Sequence, residues 1–237
     1  MNKIIQRGLF VTGTDTGVGK THIAAKLAHL LNLRGLVVRP RKPVESGCLR
    51  DESGLIPADA LMLLTASGNN ETLADICPYR FESALSPERA AALAGQNLTL
   101  ENVVAVCRQG VSENDFLIVE GAGGFYSPLA SGVLNADLVV ALSLPVLLIV
   151  PDRLGAINQA LLAVEAIKHR GLKLAAVILN QVSPQIDPQM NNASELSRWL
   201  DEPVLVTAFC KADHANPAWL LSCPALTFFL DSLTGGL

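Results

Sequence analysis

Lys20 and Thr21 close a glycine-rich run, Gly13-Thr14-Asp15-Thr16-Gly17-Val18-Gly19-Lys20-Thr21, set between the apolar segment Leu9-Phe10-Val11 and an amphipathic stretch from Ile23 to Leu31. Strand, glycine loop and helix in that order make a cradle for phosphate. The glycines let backbone N–H groups turn inward around phosphate oxygens with no Cβ in the way. Lys20 reaches the β- and γ-phosphates as a point charge. The Thr21 hydroxyl is placed to ligate Mg²⁺, and the helix adds the positive end of its dipole. The general pattern asks for a glycine where this chain has Thr14; with Gly13 in that role the loop is one residue longer.

Other groups suit the same chemistry. Glu120 ends the apolar run Phe116–Val119, and an acid there holds Mg²⁺ directly or through water. Lys42 ends a second strand, with Pro43 stiffening the turn after it. From there a lysine faces the γ-phosphate opposite Lys20, and two ammonium groups stabilise a transferring phosphoryl. Asp59, in Pro57-Ala58-Asp59-Ala60, reads as a first-turn helix acid by the usual rule and as a metal ligand by the rarer one; spacing does not decide. His22, His29, His169 and His214 have no metal spacing and no nucleophile partner, so residue chemistry makes them structural. Trp199 and Trp219 fall in helical patterns and read as packing residues. No Ser/His/Asp arrangement is visible.

These groups need a rigid frame. Strand-like runs recur at Leu9–Val11, Leu36–Val38, Phe116–Val119, Val146–Val150, Leu174–Leu179 and Val204–Val206. Helical patterns lie between them at Thr21–Leu33, Ala58–Ala66, Pro87–Ala94, Leu100–Gln109, Gly155–His169, Met190–Leu200 and Ala218–Leu230. Such alternation predicts an α/β fold of βαβ units, one domain over residues 1–237, with a mostly parallel sheet flanked by helices on both faces. At 50% hydrophobic and 17% charged, the composition suits strands covered on both sides. Ligands of such a sheet sit at the carboxyl ends of its strands. Those positions are polar or glycine-rich here: Lys42-Pro43-Val44-Glu45-Ser46-Gly47, Glu120-Gly121-Ala122-Gly123-Gly124, Pro151-Asp152-Arg153-Leu154-Gly155 and Asn180-Gln181.

A net charge of −4 without a basic block argues against nucleic acid or an acidic membrane as partner. The five scattered cysteines read as reduced thiols. The start, Met1 to Arg7, is too short and too quickly charged for a signal peptide. Together these predict a cytoplasmic protein.

In their order and wording, the motifs resemble the dethiobiotin synthetase family, whose members are P-loop NTPase-like ligases. The matching pieces are Val11–Thr21, Lys42-Pro43-Val44-Glu45-Ser46-Gly47, Ser86-Pro87, Val119–Gly124, Leu154–Leu162 and Leu179-Asn180, and the longer phosphate loop has this family's form. The resemblance implies an ATP- and Mg²⁺-dependent ring closure of 7,8-diaminononanoate with CO₂, by way of a carbamate and a carbamic-phosphoric anhydride. Lys20 and Lys42 would stabilise the transferring phosphoryl, and Thr21, Asp59 and Glu120 would hold Mg²⁺. Thr16, Lys42, Ser46 and Gly123 would line the diamine site. Asn158, with the helix start at Gly155–Ile157, would take the substrate carboxylate from the partner subunit of a homodimer. Nucleotide contacts would run from Gly13 through His22 and include Asp59, Glu120, Gly121, Ala122, Gly123, Asn180 and Gln181, with Asn180 at the adenine.

The chain departs from the family where histidine usually follows Ser86-Pro87, having Glu88-Arg89 instead. Near the base of the nucleotide it reads Pro203-Val204-Leu205-Val206-Thr207-Ala208-Phe209, without the family's glycine and second proline. Two alternatives share the fold. Partitioning ATPases carry an extra loop lysine where this chain has Asp15, and often a basic C-terminal helix, whereas residues 218–237 hold no basic residue. The other is a nucleotide-binding homologue without ligase activity.

Overall fold

The computed structural model describes residues 7–68, 70–185, 187–211, 217–221 and 223–234. Met1 to Gln6, His214 and parts of the C-terminal stretch lie outside them. The first half runs β1 (Gly8–Gly13), α1 (Lys20–Leu33), β2 (Val38–Arg41), β3 (Val44–Ser46), β4 (Leu49–Asp51), β5 (Gly54–Ile56), α2 (Ala58–Ala66), α3 (Leu73–Ile76), β6 (Tyr79–Phe81), α4 (Pro87–Leu93) and α5 (Leu100–Arg108). The second runs β7 (Phe116–Gly124), β8 (Pro128–Ala130), β9 (Val133–Leu134), α6 (Asn135–Leu142), β10 (Val146–Pro151), α7 (Ala156–His169), β11 (Leu174–Asn180), α8 (Asn192–Leu196), β12 (Val204–Thr207), a 3₁₀ turn (Pro217–Leu220) and α9 (Pro224–Thr234).

Six strands form one sheet in the order β12-β11-β10-β1-β7-β2, and every neighbouring pair is parallel. Five of them are runs expected from the sequence; the sixth, expected over Leu36–Val38, shares only Val38 with β2, which continues through Arg39-Pro40-Arg41 along the edge of β7. Each of the central ones is apolar along its whole length because helices cover both faces. Phe10, Leu117, Val119, Leu148 and Val150 face one buried cluster with α5, α6 and α7. Leu9, Val11, Ile118, Leu147 and Ile149 face another with α1 and α9.

Register carries the site. Val11 of β1 lies opposite Glu120 of β7, and Arg41 of β2 opposite Val119, so Lys42 emerges beside Glu120. The β1–β7 pairing then shifts between Val11 and Gly13, and the glycine-rich end of β7 bulges toward the phosphate loop. Asn180 ends β11 between Pro151 and Thr207.

Some expectations need correction. The helix expected over Met190–Leu200 is the short α8, because Asn191 caps it late and a turn follows at Ser197. Pro224 divides the C-terminal pattern into the 3₁₀ turn and α9. Trp199 is 69% exposed beyond α8 rather than a core residue, whereas Trp219 is buried. The described cysteines are free thiols, all buried but Cys210. Among the described residues no helix is long and apolar enough to cross a membrane.

Candidate functional site

Thr16, Gly17, Gly19, Lys20, Thr21, His22, Lys42, Ser46, Asp59, Glu120, Ala122 and Gly123 line a cleft of about 740 Å³ at the carboxyl edge of the sheet. The loop wraps there because glycine supplies its backbone angles. Gly19 has φ +95° and is the N-cap of α1, and a Cβ on it would overlap the Asn180 amide nitrogen. Gly123 has φ +74°, and a Cβ on it would collide with Ser127, whose Oγ accepts the Gly124 N–H at 2.8 Å.

Lys20 and Lys42 enter from different elements. Lys20, in the first turn of α1, donates its Nζ to the Asp15 carbonyl at 2.8 Å, folded back over its own loop. Burial holds its pKa below the ordinary value, against the pull of Glu120. Lys42 Nζ lies 2.5 Å from Glu120 Oε1 and 2.8 Å from Asp59 Oδ2. Burial alone would depress Lys42, yet the two carboxylates overcome it and hold the ammonium well above its usual range. Burial also works to raise Asp59, but Lys42 and the Thr21 hydroxyl hold it below the ordinary carboxylate value.

The donor set fits a small hard cation. Thr21 Oγ1 donates to Glu120 Oε1 at 2.8 Å, while Glu120 Oε2 is buried without a hydrogen-bond partner. A buried carboxylate oxygen left bare is costly unless something else approaches it. Among the described residues no group of three or more His, Cys, Asp and Glu side chains is arranged to hold a metal. Two carboxylates and a hydroxyl therefore make a partial shell, of the kind Mg²⁺ completes with phosphate oxygens and water.

Other expected residues sit around this centre. Gly13, Thr14 and Asp15 border a second groove of about 630 Å³, with Tyr126, Gln159 and Leu162. Val18 and Gly121 are buried beneath the loop, Gly121 against the Phe10 ring. Asn180 donates its Nδ2 to the Val18 carbonyl at 2.9 Å and accepts from Thr207 Oγ1 at 2.8 Å, which ties β11 and β12 to the phosphate loop. Gln181 accepts the Phe209 N–H at 3.3 Å. His22 stacks on Trp219 with ring centroids 4.5 Å apart, and burial pushes its pKa down to about 4. Asn158 is exposed in the first turn of α7, outside the cleft of its own chain. Glu88 is also outside: its Oε1 accepts the Gly132 N–H at 3.3 Å, in the β8–β9 turn.

Sequence reasoning missed Glu45, Met62, Leu85 and Ser127 in the cleft wall. Glu45 is buried, and its Oε1 and Oε2 accept the N–H groups of Asp59 at 3.0 Å and Ala60 at 3.1 Å. Burial, reinforced by the Asp59 carboxylate, pushes its pKa up to about 7. It stood in the quoted segment Lys42–Gly47, but nothing local marks a strand glutamate as the cap of a distant helix.

A parallel sheet with a glycine loop leading into α1, two lysines and a hydroxyl-plus-carboxylate set defines a P-loop nucleotide-binding protein. Solved structures agree on the fold. A ParA family ATPase from Chlorobium tepidum TLS superimposes with TM-score 0.52 at 14% identity, covering 97% of this chain and 99% of its own. The septum site-determining protein MinD from Pyrococcus horikoshii OT3, complexed with Mg-ADP, gives 0.51 at 17%, covering 98% and 91%. A family model described as "AAA domain" matches residues 7–208. An ATP-dependent dethiobiotin synthetase of Vesicomyosocius okutanii is 42% identical over 84% of this chain and 89% of its own length. One from Anaeromyxobacter dehalogenans (strain 2CP-C) is 44% identical over 81% and 85%. The chain belongs to the ATP-dependent dethiobiotin synthetase family.

Proposed function

We propose that this chain is an ATP- and Mg²⁺-dependent ring-closing ligase of biotin biosynthesis, a single-domain cytoplasmic enzyme that converts 7,8-diaminononanoate and CO₂ to dethiobiotin, ADP and phosphate. The observation that carries the reading is Lys42, lodged against Glu120 and Asp59 across the cleft from Lys20, in a chain over 40% identical to the synthetases above.

In this reading CO₂ adds to one amine, the carbamate oxygen attacks the γ-phosphorus and displaces ADP, and the second amine attacks the carbamoyl carbon and closes the urea with loss of phosphate. A carbamate is a weak nucleophile, so the step needs positioning and charge neutralisation more than a base. Lys20 and Lys42 supply positive charge on two sides of the transferring phosphoryl. Thr21, Asp59 and Glu120 would hold Mg²⁺, which when bound would neutralise phosphate oxygens. Thr16, Ser46 and the Gly123 backbone line the diamine. Asn180 and Gln181 border the nucleotide base.

The remaining piece comes from a second copy. Asn158 and the N-terminus of α7 face outward, where they meet a substrate carboxylate in the partner's cleft; α7 has no acid in its first turn to compete with that anion. Leu162, one turn beyond Asn158, is 60% exposed on the same helix.

The test is phosphate release from Mg-ATP, with and without 7,8-diaminononanoate plus bicarbonate. Release that depends strongly on the diamine is expected. Hydrolysis independent of the diamine, or none, sinks the reading.

A further inference from the structure

We infer that Glu45 is a positioning residue for Asp59, clamping the start of α2 so that this carboxylate is held at the metal site. The inference rests on the reading of Asp59 as a metal ligand. Helix α2 begins after Pro57, which has no side-chain acceptor to cap it, and no side-chain hydrogen bond is made at that N-cap. The first-turn donors of such a helix need an external partner. Glu45 provides it from β3, with one carboxylate oxygen on the N–H of Asp59 and the other on the N–H of Ala60.

The choice of residue is informative. A serine at position 57 would cap α2 without burying a charge. Instead a buried carboxylate reaches across from the segment that carries Lys42, three residues earlier in the chain. That segment therefore holds both ends of one contact: Lys42 Nζ meets Asp59 Oδ2 at 2.8 Å, and Glu45 grips the backbone N–H of the same Asp59. Releasing the clamp frees the helix end that aims Asp59 while leaving Thr21 and Glu120 in place. Partners one step removed from a metal commonly set its affinity in this way.

The experiment uses the full chain and its Glu45→Ala, Glu45→Gln and Asp59→Asn variants. Mn²⁺ binding in the presence of ADP is followed by electron paramagnetic resonance, beside the Mg²⁺ concentration for half-maximal phosphate release and the melting temperature. Glu45→Ala is expected to weaken Mn²⁺ by about tenfold and to raise the Mg²⁺ requirement by a similar factor, with a much smaller fall in kcat at saturating Mg²⁺. Glu45→Gln, which keeps one carbonyl acceptor and the volume, recovers part of the loss and carries the test should the alanine variant not fold. Combined with Asp59→Asn, Glu45→Ala adds no further loss of Mn²⁺ affinity. A lowered melting temperature with unchanged Mn²⁺ affinity and Mg²⁺ requirement overturns the inference, because a purely structural cap behaves so. Were wild type to show no diamine-dependent release while the variants still lost Mn²⁺, the ligase reading would fall and the clamp would stand.

Discussion

Lys20 and Lys42 differ in what they touch, and their substitutions should differ too. Lys20 bonds its own loop, so Lys20→Ala removes a group that shapes the phosphate cradle and is expected to weaken ADP binding. Lys42 sits across the cleft on carboxylates from two other elements. Lys42→Ala is expected to lower kcat for diamine-dependent phosphate release by about 10²–10³-fold, the usual worth of one preorganised charge at a transition state. ADP affinity, followed by titration calorimetry, should change far less. Both lysines were legible as chemistry, Lys20 because it closes a glycine loop and Lys42 because it stands at a strand end beside Pro43. Glu45 was not, since its role exists only through backbone groups 14 and 15 residues further on. The Asn180 amide was likewise readable as a polar strand end, but its hold on the Val18 carbonyl depends on two strands meeting the loop.

At the scale of elements, the edge strand β2 must hold Lys42 steady with β7 as its one neighbour in the central sheet. Charged groups anchor it: Arg39 Nε donates to Asp115 Oδ2 at 3.0 Å, and Arg41, fully buried, pairs with Glu71 at 2.8 Å. Burial of Asp115 opposes its ionisation, but the Ser112 N–H and Arg39 overcome this and hold it below the ordinary 3.8. A carboxylate with a depressed folded value stabilises the fold above its unfolded value, and that contribution fades as pH falls through the folded one. Asp115→Asn is therefore expected to cost about 1.5–3 kcal/mol at pH 7, with the gap to wild type closing as pH drops below 3.8, as read from urea denaturation at each pH. Five of the six sheet strands were visible as apolar runs; β2, Val38-Arg39-Pro40-Arg41, was placed two residues early because it carries the charged Arg39 and Arg41. The three-residue ribbons β3–β6 and β4–β5 were not, because pairs so short carry no periodicity and are decided by what packs on them. For the same reason α8 came out shorter than its pattern: Asn191 and the turn at Ser197 outweigh helical spacing.

The whole molecule presents apolar side chains that its own fold leaves bare. Leu162 and Tyr126 flank the groove that backs onto Thr14 and Asp15, and Leu154, just before α7, is 95% exposed. Clustered apolar exposure beside a functional site is the mark of a contact surface, and a two-fold partner would bring its α7 to the neighbouring cleft. If the proposed homodimer forms through α7, wild type is expected at twice 25.1 kDa in sedimentation equilibrium and Leu162→Asp at 25.1 kDa, with diamine turnover abolished while ADP still binds.

The placement of Lys42 also decides how the cleft looks to an approaching ion. Two ammonium groups, Lys20 and Lys42, face two carboxylates, Asp59 and Glu120, and Glu45 is occupied with the N–H groups of α2. These carboxylates offset the lysine charges, and Glu45, its pKa pushed up to about 7, tips the balance from neutral toward negative. Inorganic phosphate, sulfate and bare triphosphate therefore find both lysines already paired, with the loop N–H groups and the α1 dipole left to attract them. An anion that arrives with its own counter-cation brings positive charge to the carboxylates as it takes the lysines for itself, so the resting cleft favours metal-bound anions before it recognises them by shape.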